Sequence, residues 1–255
     1  MKGIGMTKFS GYTVAVAMLA ATTLAGCPRG EELHTQDLAS ASVLDGKQLY
    51  FIPSDTENKR LGDAFYVRIV QDLPTPGQLP SPTAGDQVVE FPEGGGSVAI
   101  ALDEPVMYYG AWYDSISIGS DGTVGLGQAG GGNDTLEEHF ASPQVSLLPI
   151  NATLAGTEVT VSQDADEVVV TFDNVVIGTD TDFTTDNAFQ VEFFKTRGID
   201  GDIAISYANV SAQGSGIVGL SNGQLAGATE AEIASFLRGF KDSNLTVDAN
   251  TDSGR

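Results

Sequence analysis

Residues 115–126 read Ser-Ile-Ser-Ile-Gly-Ser-Asp-Gly-Thr-Val-Gly-Leu. Apolar side chains recur at every second position, Ile116 and Ile118 on one side and Val124 and Leu126 on the other, with Ser120-Asp121-Gly122 between. A period of two places alternate residues on one face of a strand, and an Asp-Gly pair tolerates the positive φ of a tight turn, so the stretch predicts a β-hairpin.

The same signature recurs along the chain. In the first half it covers 48–52, 64–70, 87–91, 97–102 and 106–109; in the second, 145–150, 158–162, 167–172, 189–194, 202–207 and 216–220. Val, Ile, Phe and Tyr dominate these runs, as a pleated, half-buried surface selects. Asp164-Ala165-Asp166 and Asp200-Gly201-Asp202 supply further turns. Many short strands at near-regular spacing predict an all-β fold, a single antiparallel β-sandwich. Two helices interrupt the pattern. One, near 134–140, opens with the capping residue Asp134 and acids in its first turn. The other, near 229–240, opens with the capping box Thr229-Glu230-Ala231-Glu232 and continues with Ile233, Phe236, Leu237 and Phe240 at helical spacing.

The start of the chain speaks to location. Lys2 and Lys8 precede an uncharged apolar run from about Tyr12 to Ala21, then Leu24-Ala25-Gly26-Cys27, the chain's single cysteine. A cationic start, a short apolar middle and small residues before a cut describe an export signal, and the apolar run is about half the ~20 residues a spanning helix needs. Leu24 to Cys27 resembles the lipobox of bacterial lipoproteins. That resemblance implies cleavage after residue 26, diacylglycerol on the Cys27 sulfur and an acylated new amino terminus, with Cys27 as the membrane anchor. Each buried CH2 contributes about 0.8 kcal/mol, so two or three acyl chains hold where one would exchange. Pro28 stands where an inner-membrane retention signal of that family has Asp, which favours the outer membrane or cell surface. The domain reading is therefore a signal peptide at 1–26, a lipidated flexible tether at 27–45, the sandwich with its terminal helix at 46–241, and a polar tail at 242–255.

Twelve basic against 34 acidic residues give a formal net charge of −22. A surface that acidic repels nucleic-acid phosphates, so nucleic acid is excluded as a partner. With Cys27 committed to lipid, the exported domain has no disulfide available and relies on its core.

The stretch Tyr108-Tyr109-Gly110-Ala111-Trp112-Tyr113-Asp114, followed by the 115–127 hairpin, resembles the opening of nidogen-like extracellular domains. Downstream, 167–173, 187–194, 201–207 and 216–221 resemble the successive strands of that pattern, so the likeness covers roughly Leu49 to Gly223. It implies a β-rich extracellular module used in adhesion, and it brings no catalytic residues. Val145-Ser-Leu-Leu-Pro-Ile-Asn-Ala-Thr153 departs from the pattern, which tends to have Trp and acids there.

The chemistry-bearing candidates are few. Gly219-Leu220-Ser221-Asn222-Gly223 matches the G-x-S-x-G pattern of a nucleophile elbow, but no helix follows at once and both histidines, His34 and His139, precede it. A strand ending in a turn is the plainer reading. Asp180, Asp182 and Asp186 offer hard oxygen ligands to calcium, though without an EF-hand's glycine and closing glutamate, so no metal site is assigned. No His and Cys cluster serves zinc or iron, and no cofactor is called for. Trp112, Tyr108, Tyr109 and Tyr113 suggest an aromatic platform; strand alternation sends about half of them inward, and core is the expected fate of Trp112. The expectation is a lipid-anchored, non-catalytic surface or adhesion-type module with a protein or glycan partner. The alternatives are a glycan-binding module with coplanar aromatics near Trp112, and a hydrolase of an envelope polymer with two acids converging in a cleft.

Overall fold

The computed structural model describes residues 36–38, 44–53, 66–80, 87–127, 132, 135–148, 150, 157–179, 182–195, 201–210, 216–223, 225–229 and 231–233, with 36–38, 66–68, 177–179 and 182–186 described through their backbone. Among the described residues, thirteen strands and the short helix α1 follow one another: β1 Gln36–Leu38, β2 Lys47–Pro53, β3 Tyr66–Asp72, β4 Gln87–Val88, β5 Ser97–Tyr108, β6 Ala111–Gly119, β7 Thr123–Leu126, α1 Leu136–His139, β8 Pro143–Ser146, β9 Glu158–Gln163, β10 Glu167–Thr179, β11 Asp182–Phe194, β12 Ile203–Ala208 and β13 Gly216–Asn222. They form a six-stranded sheet, β1-β13-β8-β7-β6-β5, and a seven-stranded sheet, β3-β2-β12-β11-β10-β9-β4. Every pairing is antiparallel.

One apolar core joins the sheets. Ile100, Ile116, Val124, Val145 and Leu220 of the six-stranded sheet pack in one cluster with Phe51, Val170, Phe172, Phe189, Val191 and Ile205 of the other. Polar groups also cross the gap: the buried Tyr207 hydroxyl donates to the Leu147 carbonyl (2.8 Å). Gln163 straps the β5 bulge, donating to the Ala101 carbonyl and accepting from the Asp103 N–H (both 3.1 Å).

The turns show why the sequence folds this way. At the 115–126 hairpin, Ile118 pairs with Val124 and the link is the three residues Ser120-Asp121-Gly122. Asp121 Oδ1 accepts from the Thr123 N–H and hydroxyl. Gly122 has φ +89°, and a Cβ there would lie 2.3 Å from the Leu148 carbonyl oxygen, so glycine alone fits. Between β5 and β6 the two-residue turn is Tyr109-Gly110, φ 46° and 76°. Two positive φ values match the right-handed twist of the strands they join.

Several boundaries differ from the sequence expectation. The runs 97–102 and 106–109 are one strand, β5, whose pairing with β6 shifts register between Ala101 and Val106. The stretch assigned to a free tether up to Asp45 is structured in part: Gln36–Leu38 pairs with β13, Leu44 is buried in the core, and Asp45 Oδ1 accepts from the Val210 N–H (2.9 Å). Bringing Leu44 out of water and satisfying a backbone donor outweighs the freedom of so short a segment. Helix α1 is capped by Thr135, whose capping box with Glu138 is complete; Asp134 lies outside the described residues. At the second helix, Thr229 and Glu232 also form their box and Ala231–Ile233 is helical with Ile233 fully buried. Residues 234–240 lie outside the described residues.

Candidate functional site

On its outward side the seven-stranded sheet is more polar and more buried than a solvated face would be. Leu49 and Phe51 of β2 enter the core, so by alternation Gln48, Tyr50 and Ile52 face out. The same alternation in β11 sends Phe189, Val191 and Phe193 in and Gln190, Glu192 and Phe194 out. At one level Tyr50 of β2, Ala204 of β12 and Glu192 of β11 are consecutive register partners. The central strand thus presents only a methyl group between two large side chains, which leaves a depression.

A cleft of about 910 Å³ occupies this depression. Its walls are Gln48, Tyr50 and Ile52 of β2, Ile69 and Gln71 of β3, Pro74 and Pro80 of the following loop, Glu192 and Phe194 of β11, and Asp164, Asp166 and Glu167 at the β9–β10 hairpin. Among these described lining residues four are acids and none is Lys or Arg. Tyr50 and Phe194 form a tilted aromatic pair, centroids 5.9 Å apart.

Hydrogen bonds hold the walls in place. Tyr50 donates its phenol proton to Asp202 Oδ2 (2.8 Å). Burial raises the Asp202 pKa, an effect the Tyr50 bond partly offsets. At the hairpin, Asp164 Oδ1 accepts from the Asp166 N–H (2.7 Å) and the Glu167 N–H (2.9 Å). Those two bonds hold its carboxyl below the usual range, with a smaller contribution from Lys195. The buried Lys195 donates from Nζ to the Asp164 carbonyl (2.8 Å), which stiffens the turn.

The candidates read from sequence are distributed differently. Trp112 is 59 % exposed, contrary to its expected place in the core. Tyr113 and Ile116, three residues apart, both pack on the core, so the alternation slips by one between them, opposite the β5 register shift. The slip turns Tyr113 in and Trp112 out. Tyr108 is fully buried, donating to the Gln144 carbonyl (2.7 Å), and Tyr109 is buried with its ring edge-on to Tyr108 at 4.8 Å. The four aromatics therefore form no exposed coplanar platform.

Ser221 is buried in β13, where its Oγ accepts from the Gly223 N–H (3.1 Å). The serine that meets a histidine is Ser146, whose Oγ lies 2.8 Å from His139 Nδ1. The imidazole is also bonded to the Leu220 backbone, and burial lowers its pKa to about 3. Both residues have no exposed surface, so the pair anchors α1 to the six-stranded sheet. Cys27, His34 and Asp180 lie outside the described residues, as do the side chains of Asp182 and Asp186. The backbone of the last two belongs to β11, Asp182 pairing with Thr179 of β10. Among the described residues no three His, Cys, Asp or Glu side chains are grouped to hold a metal ion.

Tyr50, Glu192 and Phe194 went unremarked in the sequence reading. The signal for them is the run Phe189-Gln-Val-Glu-Phe-Phe194, in which polar residues alternate inside a strand too apolar to be solvated. Compared with family models, curated proteins and solved structures, the chain matches none.

Proposed function

We propose that the chain is an exported lipoprotein, anchored through Cys27 at the outer membrane or cell surface, whose sandwich is a non-catalytic adhesion-type binding module. The observation that carries the binding role is the cleft: a preformed concavity on a rigid sheet, of a volume suited to a ligand segment, with four acids and an aromatic pair in its walls. The acid excess favours a partner that presents Lys or Arg side chains, and the protein's overall charge would steer such a partner inward. Sequence carries the export and anchoring part of the reading, through the signal and Leu24 to Cys27. The adhesion class comes from the nidogen-like strand order.

The glycan-binding alternative shifts from Trp112 to the cleft, where Tyr50, Phe194, Gln48 and Gln71 offer one stacking surface and several hydrogen-bonding groups. The hydrolase alternative needs a proton donor beside an ionised acid, and in this cleft Asp164 is the acid held ionised. The discriminating experiment is a titration with fluorescent oligolysine beside a glycan array, on the wild type and the Asp166→Asn/Glu167→Gln double variant. Salt-sensitive oligolysine binding that weakens about tenfold or more in the variant, an expected loss of about 1.4 kcal/mol, supports the cationic partner. Array hits with oligolysine binding indifferent to the substitutions would replace it with the glycan reading.

A further inference from the structure

The acids of the cleft fall into two environments. Asp164 and Asp166, at the β9–β10 hairpin, are exposed on its rim. Their charges act through water, where the ammonium of a lysine and the guanidinium of an arginine are attracted alike. Glu192 is 3 % exposed and lines the cleft from the sheet itself, separated from Tyr50 by Ala204 of the central strand.

Asp202 lies on the same floor. Ile203 beside it enters the core, so Asp202 faces out by alternation, and it sits opposite Phe194, whose N–H donates to the Asp202 carbonyl (2.9 Å). The residue is 7 % exposed. Its Oδ2 accepts from the Tyr50 hydroxyl, and its Oδ1 has no hydrogen-bond partner among the described residues. A buried carboxylate oxygen left unmet is costly, and a cation brought to this floor offsets that cost. The same Tyr50 bond fixes the phenol ring, which stands 5.9 Å from Phe194 at an interplanar angle of 45°. Tyr50 and Glu192 are two strand spacings apart, roughly 10 Å, with a methyl group between them, which leaves room for one planar group against the ring.

Resting on the cationic-partner reading of the cleft, we infer that this corner is an arginine site: one guanidinium of the partner lies against the Tyr50 ring beside Phe194, over Ala204, with its N–H edge toward Glu192 and Asp202. The choice of arginine over lysine follows from the burial of the floor and the ring. A guanidinium is weakly hydrated, so leaving water for a buried floor costs it less than an ammonium. Its flat face stacks on an aromatic ring, and its five donors form a fork that can meet two acceptors at once. The rim acids gather a basic segment of the partner, and the floor selects the arginine within it.

Fluorescent hexa-arginine and hexalysine carry the same charge and differ in the group that presents it. Titrated into the full chain at one ionic strength, hexa-arginine should bind about tenfold tighter than hexalysine. Glu192→Gln keeps the shape and removes the charge, and Phe194→Leu removes one ring; each should bring hexa-arginine close to hexalysine while hexalysine itself changes little. Asp166→Asn/Glu167→Gln should weaken both peptides alike. On the wild type, N-acetylarginine amide should displace hexa-arginine at lower concentration than N-acetyllysine amide, a comparison that stands even where a variant fails to fold. Equal peptide affinities, or the reverse order of the two amides, overturn the arginine site and leave the cationic partner standing. A preference for hexa-arginine that survives both floor variants overturns its placement at this corner. Binding of neither peptide overturns the cationic partner and the arginine site with it.

Discussion

His139 has no exposed surface, its Nδ1 is 2.8 Å from Ser146 Oγ, and burial takes its pKa from 6.5 down to about 3. Between those values the unfolded chain binds a proton that the folded chain refuses. Stability therefore falls as pH drops below about 6.5 and keeps falling toward 3, by up to about 1.4 kcal/mol per pH unit from this residue. Asp164 acts in a lower window, since its depressed pKa contributes stability above 3.8 that disappears as pH passes below its folded value. Asp202, raised by burial, works in the opposite direction and is relieved as pH falls through its folded value. Urea unfolding from pH 8 to 4 should show the slope, and His139→Gln should flatten it between 6.5 and 4 whatever it does at pH 8. An unchanged slope in the variant would assign the pH dependence to the carboxylates. Residues of this kind were half legible. The sequence offers Ser221 by its motif, yet Ser146, in no motif, is the serine beside the histidine, because pairing across strands is invisible to local pattern. Trp112 was misplaced for a related reason: one slipped residue in β6 inverts every face assignment on one side of it.

Across the seven-stranded sheet, one row of outward residues is paired strand by strand: Gln71, Gln48, Ser206, Gln190, Thr171 and Thr160. Gln71 donates to Gln48 (2.6 Å), Gln48 to Ser206 Oγ (3.0 Å) and Gln190 to Thr171 Oγ1 (2.8 Å). From Gln48 to Thr160 every member is buried, so the row fixes register at a cost if a link between buried members is cut. Gln48→Leu takes the acceptor from Gln71 and the donor from Ser206, and should cost about 1–3 kcal/mol in urea unfolding. Gln71→Ala, at the exposed end, should stay within about 0.5 kcal/mol. Equal effects would mean the row adds nothing beyond its backbone ladder. The strands carrying it were legible from period two, but their lengths were not. The run 167–172 stops short of Asp173-Asn174, yet these residues are a bulge inside β10, with Asn174 at φ 52° and the register shifting between Phe172 and Val175. Beyond it, β10 and β11 continue as thirteen-residue strands, so Asp182 to Asp186 form strand backbone where the composition suggests an acidic loop.

At the scale of the molecule, the sandwich closes only when the segment before β2 is included. β1 covers one edge of the six-stranded sheet by pairing with β13. Leu44, at 1 % exposure, plugs the core where the chain crosses to the other sheet. Composition could not reveal this, since three residues of pairing and one leucine are too short to set a period. Without β1, the backbone of β13 becomes an open edge beside the buried Ile217 and Val218, a template for pairing with another chain. A chain cut to begin at Gly30 should therefore behave differently from one cut to begin at Asp45. Loss of Leu44 burial alone costs about 1.5–3 kcal/mol, which for a domain of this size lowers Tm by about 5–10 °C. The open edge should add concentration-dependent association. Thermal unfolding and sedimentation of the two forms check both parts. Equal Tm values with a monomer in each case would return residues 30–44 to the role of a passive tether.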